Sequence, residues 1–136
     1  FPGTYNARRD NLEGGFWKGL FGTSHGIMIV NAFFENVARD GSNVVLEFRP
    51  KPTQDMLVAC LWSRWSAPGE PDLLSFAAIT DEPPTEVAAA GHDRCIVPIK
   101  EENIDAWLQP EPSNLAAQYA ILDDRQRPYY EHRLAA

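Results

Sequence analysis

The dipeptide Asp40-Gly41, set between two apolar runs, constrains this chain more than any other feature. An Asp-Gly pair favours the positive backbone torsions of a two-residue turn, whose twist matches that of the strands it joins. On its amino side, residues 27–34 are apolar except for Asn31; on its carboxyl side, residues 43–48 form a β-branched run with polar interruptions. The spacing predicts two strands paired antiparallel through residues 38–43.

Two more strands are expected at 56–65 and 73–80, separated by a loop at 66–72 in which Pro68, Gly69 and Pro71 stop either flank from continuing. Thr80 or Asp81 is placed to cap a helix, Pro83 and Pro84 fit its first turn, and the Ala-rich stretch 85–90 should end at Gly91. Residues 94–99 read as a buried strand. Residues 101–108 read as a helix with acidic residues in its first turn and Pro110 beyond its end. Ser113 is expected to cap a last helix over 114–122, and the polar tail 123–136 receives no element. With 136 residues the chain can bury roughly two thirds of its unfolded surface around one core. There is no repeat and no dividing linker. The expectation is a single α+β domain over 1–136, with a mainly antiparallel sheet curled toward a barrel and a few short helices.

A net charge of −7 opposes broad attraction to nucleic acid, because phosphate neutralisation needs Lys and Arg facing the polymer. The pairs Arg8 with Arg9, Arg49 with Lys51 and Arg125 with Arg127 read as solvated surface charge, which leaves room for a local basic site. Only Cys60 and Cys95 are present, a usage that favours reduced thiols and a cytoplasmic setting. No apolar run approaches the ~18 residues that span a bilayer, and no signal segment opens the chain. It begins with Phe1 rather than Met, so a processed product or a piece of a longer protein is expected.

Side chains two apart in a strand share a face, which groups Asn31, Phe33 and Glu35, Asn6 with Arg8, and His92 with Arg94. Desolvation by Phe33 and Phe34 would raise the Glu35 carboxyl and suit it to proton transfer; the plainer reading is a strand-end carboxylate paired with an Arg. His92 follows an expected helix end, where a cationic ring is favoured by the dipole and an imidazole suits acid-base work. His25 and His132 lack partners at metal-ligand spacing, so neither a metal nor another cofactor is expected. Cys60 lies in an apolar run and reads as a small core residue. Cys95 near His92 offers a thiol-imidazole pair, although adjacent strand positions point apart. No Gly-x-Ser-x-Gly elbow is present.

Several patches then occur in an ordered series: Tyr5-Asn6-Ala7-Arg8, a strand end at Phe33-Phe34-Glu35, Ala59-Cys60-Leu61-Trp62-Ser63-Arg64-Trp65, the strand from Ser75 to Glu82, and His92-Asp93-Arg94 followed by Val97-Pro98. In this order they make the chain resemble the SOS-response-associated peptidase (SRAP) family, over residues 4–110. Three differences stand out. Asn36 occupies the place of a Trp, Ala32 that of a Gly, and Arg9-Asp10 that of a Ser-Glu pair; the family's opening Met-Cys-Gly-Arg segment is missing from these residues.

The resemblance implies a sensor of abasic sites in single-stranded DNA. The family's amino-terminal Cys would condense through its amine and thiol with the sugar aldehyde, and an autoproteolytic role is also implied. Carried over by position, Glu35 would assist sugar ring opening, His92 would be its acid-base partner and Asn6 would hold the reacting end. Arg8 and Arg94 would clamp phosphates, with Thr80 and Trp62 lining the same groove. Two other classes remain open at this stage: a cysteine hydrolase using Cys95 and His92, and a catalytically inactive DNA- or protein-binding relative.

Overall fold

The structure, a computed structural model, describes residues 6–135, so Tyr5 of the first patch lies outside it. It is α+β and mainly antiparallel, with two sheets that face each other without closing into a barrel. The larger sheet has the order β1 (Asn6–Arg8), β6 (Leu73–Asp81), β5 (Met56–Trp65), β2 (His25–Val30), with β7 (Cys95–Ile96) also paired to β6. Its β1–β6 pairing is parallel. The smaller sheet is β3 (Phe33–Arg39), β4 (Ser42–Lys51), β8 (Tyr129–Leu134). Three short helices complete it: α1 (Thr85–Ala89), α2 (Ile104–Leu108), which follows a 3₁₀ turn at Glu101–Asn103, and α3 (Leu115–Asp123).

Strand alternation distributes the core. From the larger sheet, Ala7, Ala59, Leu61, Ala77 and Ile79 face one way, onto Leu12, Phe21, Trp107 and Leu122 of the helical layer. Their neighbours Met56, Val58 and Ala78 face the other way, onto Phe33, Val37, Leu46 and Phe48 of the smaller sheet. The larger sheet is therefore the middle of three layers. Any pocket at the rim between the two sheets draws side chains from both.

The hairpin forms as the Asp-Gly pair predicts: Arg39 pairs with Ser42, and Asp40 and Gly41 take φ of 50° and 80°. The single strand expected over 27–34 is instead two. Residues up to Val30 pair with β5, residues from Phe33 onward pair with β4, and Asn31-Ala32 carries the chain from one sheet to the other. Asn31 consequently leaves the face it was expected to share with Glu35. Thr80 and Asp81 belong to β6 and cap nothing; Pro84 precedes α1. Asn114 rather than Ser113 caps α3, its side chain accepting from the Ala117 N–H at 3.2 Å. Only Cys95–Ile96 of the expected 94–99 strand pairs with β6; the chain then crosses to β5, where the Ala59 N–H donates to Val97 and the Ile99 N–H to Leu57. The polar tail supplies β8. Among the described residues no helix is long and apolar enough to cross a membrane.

His25 ties β2 to the helical layer. Its Nε2 accepts from the Gly22 N–H at 2.8 Å, which fixes the proton on Nδ1, and Nδ1 donates to the Trp107 carbonyl at 2.9 Å. Protonating Nε2 would break the first bond and bury a charge, and burial lowers the ring's pKa to about 4. The unfolded chain, with an ordinary value of about 6.5, then binds the extra proton more readily. This ring's contribution is fully present above pH ~6.5 and is lost as pH falls toward ~4, by up to about 3 kcal/mol. An NMR titration should place the His25 midpoint near 4; a midpoint near the ordinary value would overturn this account of the ring.

Candidate functional site

The rim between the sheets collects most of the polar groups singled out above. On β3, Phe33, Glu35 and Val37 point inward, and Glu35 stands opposite Leu46 of β4. Phe33 and Val37 flank Glu35 on the same face of β3. Phe34 faces the other way and is 57% exposed, so only one of the two rings expected to desolvate Glu35 is on its face. Burial pushes the Glu35 carboxyl upward; the charge of His92 opposes this and that of Asp93 adds to it.

His92 reaches Glu35 because of how α1 ends. Gly91 adopts a φ of 104°, its N–H bonds to the Ala88 carbonyl, and the His92 N–H bonds to that of Val87. This paired closure is the Schellman motif, which turns the chain sharply out of the helix. His92 Nε2 then lies 2.9 Å from Glu35 Oε2. Its Nδ1 meets both polar groups of one residue, the Arg94 carbonyl at 2.8 Å and the Arg94 N–H at 3.1 Å. A protonated Nδ1 donates to the first and a bare one accepts from the second, so the ring can change protonation without losing its anchor. Gly91→Ala should cost about 1–2 kcal/mol, because a Cβ is strained at this torsion. Chemical denaturation measures that cost, and the His92 ring resonances should shift with it; an unchanged midpoint would count against the cap.

Arg94 returns along the same edge. Its Nη2 donates to the Thr80 carbonyl at 2.6 Å and lies 3.4 Å from Thr80 Oγ1. Its Nε is buried without a hydrogen-bond partner, and the guanidinium forms no ion pair among the described residues. Most of the basic residues expected at the surface differ in this respect: Arg8 pairs with Asp10, Arg9 with Asp123, Arg49 with Glu47, Lys51 with Glu131, and Arg125 with Asp81. A half-buried cation lacking a carboxylate is suited to an incoming anion.

The floor comes from β1 and its neighbours. Ala7 enters the core while Asn6 and Arg8 face the rim, in register with Ala78 and Thr80. Arg8 is held by Asp10 through two bonds, Nε to Oδ1 at 3.1 Å and Nη2 to Oδ2 at 3.0 Å, and this arginine keeps the Asp10 carboxyl below its ordinary range. No hydrogen bond engages the Asn6 amide among the described residues. Ala78 pairs with Cys60 of β5, and Cys60 with Gly26 of β2, so a row of small side chains crosses the sheet from Asn6. Trp62 and its partner Phe76 stand on the same face one row further, about 7 Å along the strands.

The sequence-predicted residues are thus placed unequally. Glu35 and His92 touch, Arg94 grips Thr80, Arg8 and Asn6 share the floor, and Trp62 stands at its edge. Thr80 is 3% exposed and holds Arg94 rather than lining an open groove. Cys95 does not meet His92: the thiol is 3% exposed, burial pushes it up to about 12, and both imidazole nitrogens are engaged elsewhere. The thiol-imidazole pair needed by a cysteine hydrolase is therefore not formed. Asp10, Asp93 and Phe76 were missed as site residues, and only the Arg8-x-Asp10 spacing signalled one of them. Beside His92, an open depression of about 470 Å³ is lined by Glu82, Pro83, Ala88, Gly91 and Asp93.

A sequence profile of the SOS response associated peptidase (SRAP) family matches residues 2–134, and the chain belongs to that family. No curated protein matches it. Solved structures share the fold. A protein from Bordetella bronchiseptica gives a TM-score of 0.73 at 17% identity, covering 96% of this chain and 64% of its own. A protein from Bacteroides thetaiotaomicron gives 0.74 at 17% identity, covering 96% and 58%. A phage-related protein from Bordetella bronchiseptica gives 0.69 at 22% identity, covering 96% and 62%. The chain therefore spans less than two thirds of the length of each of these relatives. The difference noted at Asn36 falls on the outer side of β3, opposite Val45 and away from Glu35.

Proposed function

We propose that these residues form the DNA-facing body of a protein that captures abasic sites in single-stranded DNA. The observation that carries this reading is the 2.9 Å contact between Glu35 and His92, set beside the unpaired Arg94 guanidinium. An abasic sugar is mostly a closed hemiacetal, and its reactive aldehyde appears only when the ring opens. Opening removes a proton from the anomeric hydroxyl and delivers one to the ring oxygen. Two proton carriers in contact can do both, one as base and one as acid. Glu35, raised by burial, and His92, held at Nδ1 by either of two partners, fit those roles.

Arg94 and Arg8 would take phosphates flanking the sugar, with Thr80 orienting Arg94. Asn6 would hold the attacking group, and Trp62 would offer a flat surface to a neighbouring base. The attacking group would be the family's amino-terminal Cys: its amine condenses with the aldehyde with loss of water, and its thiol adds to the resulting C=N bond to close a thiazolidine. Neither internal thiol can replace it, because Cys60 and Cys95 are buried, are pushed up to about 11 and about 12, and carry no adjacent amine. That observation favours a second reading for the 136 residues on their own, a DNA-binding body that does not crosslink.

Incubating the natural full-length product with single-stranded DNA containing one abasic site separates the two. A heat-stable adduct on a denaturing gel, lost when the amino terminus is blocked, supports capture. No adduct, with an intact mass matching these residues alone, leaves the binding reading.

A further inference from the structure

A second cavity lies across the segment Glu82-Pro83 from the depression beside His92; these two residues line both. It measures about 270 Å³, and its apolar lining includes Ile96, Pro98 and Tyr130. Its charged lining comes from two segments, Glu82 and Glu86 from one, and Arg125 and Arg127 from the other. Arg125 is neutralised by Asp81, which does not line the cavity, and its Nε donates to the Leu122 carbonyl. The remaining three charges differ. Glu86 accepts from the Tyr130 N–H at 2.9 Å, Arg127 donates to the Asp123 carbonyl at 3.0 Å, and neither they nor Glu82 forms an ion pair among the described residues.

Opposite charges that line one cavity without bridging it are held further apart than a direct pair allows. A ligand carrying both charges would meet a partner of opposite sign for each, whereas a simple anion or cation would also meet residues of its own sign. The apolar lining, which includes Pro83, Pro84 and Pro128 besides Ile96, Pro98 and Tyr130, favours a ligand with a hydrophobic body between its charged ends. We propose that this cavity binds a small zwitterion of the α-amino-acid type, its ammonium toward Glu82 and Glu86, its carboxylate toward Arg127, and its side chain on Ile96, Pro98 and Tyr130. This site is separate from the Glu35–His92 pair and does not depend on the reading given for it.

Amide NMR titration of the 136-residue chain with L-phenylalanine, N-acetyl-L-phenylalanine and L-phenylalanine methyl ester tests it, since each derivative lacks one charge. L-phenylalanine should give saturable shifts at residues 82–86, 95–98 and 125–130, with both derivatives about tenfold weaker or worse. Glu82 and Arg127 are exposed, so Glu82→Gln and Arg127→Gln should fold normally, and each should weaken L-phenylalanine by about fivefold. Absence of saturable shifts, equal binding of the derivatives, or unchanged affinity in both variants would each overturn the proposal.

Discussion

Trp107→Ala is expected to lower the unfolding free energy by about 3–5 kcal/mol and the melting temperature by about 10–15 °C, the largest loss of stability from any single truncation in the helical layer. Trp107 is fully buried in α2, the element that closes the layer over β2. Three links run through it. Its Nε1 donates to the Gly26 carbonyl at 2.9 Å, its ring stacks on His25 with centroids 3.8 Å apart, and its own carbonyl accepts from His25 Nδ1. Truncation removes the first two outright and leaves a cavity beside an imidazole that is neutral because it is buried. Water entering that space would let His25 ionise at higher pH. The variant should therefore show a His25 midpoint moved up from about 4 toward the ordinary value, along with the lower melting point. Trp107→Phe keeps an aromatic ring in the site but loses the Gly26 bond and part of the indole's packing, at about 1–3 kcal/mol. A Trp107→Ala chain that melts within a few degrees of the parent would mean that α2 is peripheral to the core.

What could be read before the structure depended on how local its cause was. The Asp40-Gly41 turn and the Gly91 helix end were legible, because both rest on torsions that neighbouring residues decide. The switch at Asn31-Ala32 was not, since apolar residues flank it on both sides and no Gly or Pro marks the passage between sheets. β8 was hidden for a different reason. Only Tyr130 of its six residues is buried, so it lacks the apolar alternation by which strands are recognised, and its pairing with β4 comes from residues some eighty positions away. Thr80 read as groove-lining because its motif position was visible and its burial between β1 and β7 was not. Glu35 and His92, 57 positions apart in sequence, were legible as candidates through a family pattern, but their contact needed the helix cap and the inward face of β3 together.

If the full-length protein captures abasic sites as proposed, Glu35→Gln is expected to slow the crosslinking by about 10²–10⁴-fold while leaving DNA affinity within about threefold. The substitution preserves shape and hydrogen bonding to His92 but cannot accept and return a proton. Arg8 and Arg94, which would carry phosphate binding, are untouched. The pH dependence sharpens the test. In the proposed mechanism the base form of Glu35 takes the hydroxyl proton, and burial raises its pKa, so the parent's rate should fall as pH drops through a value above the ordinary carboxylate range. Glu35→Gln should lack that acid limb. His92→Gln should cost a similar factor, and the double variant should be little slower than either single one, because two groups passing one proton act as a unit. Additive losses would mean independent roles, and a parallel drop in DNA affinity would make Glu35 a structural support for the rim. Parent-like crosslinking in Glu35→Gln would remove the pair from the chemistry and leave the arginines and the floor as a binding surface alone.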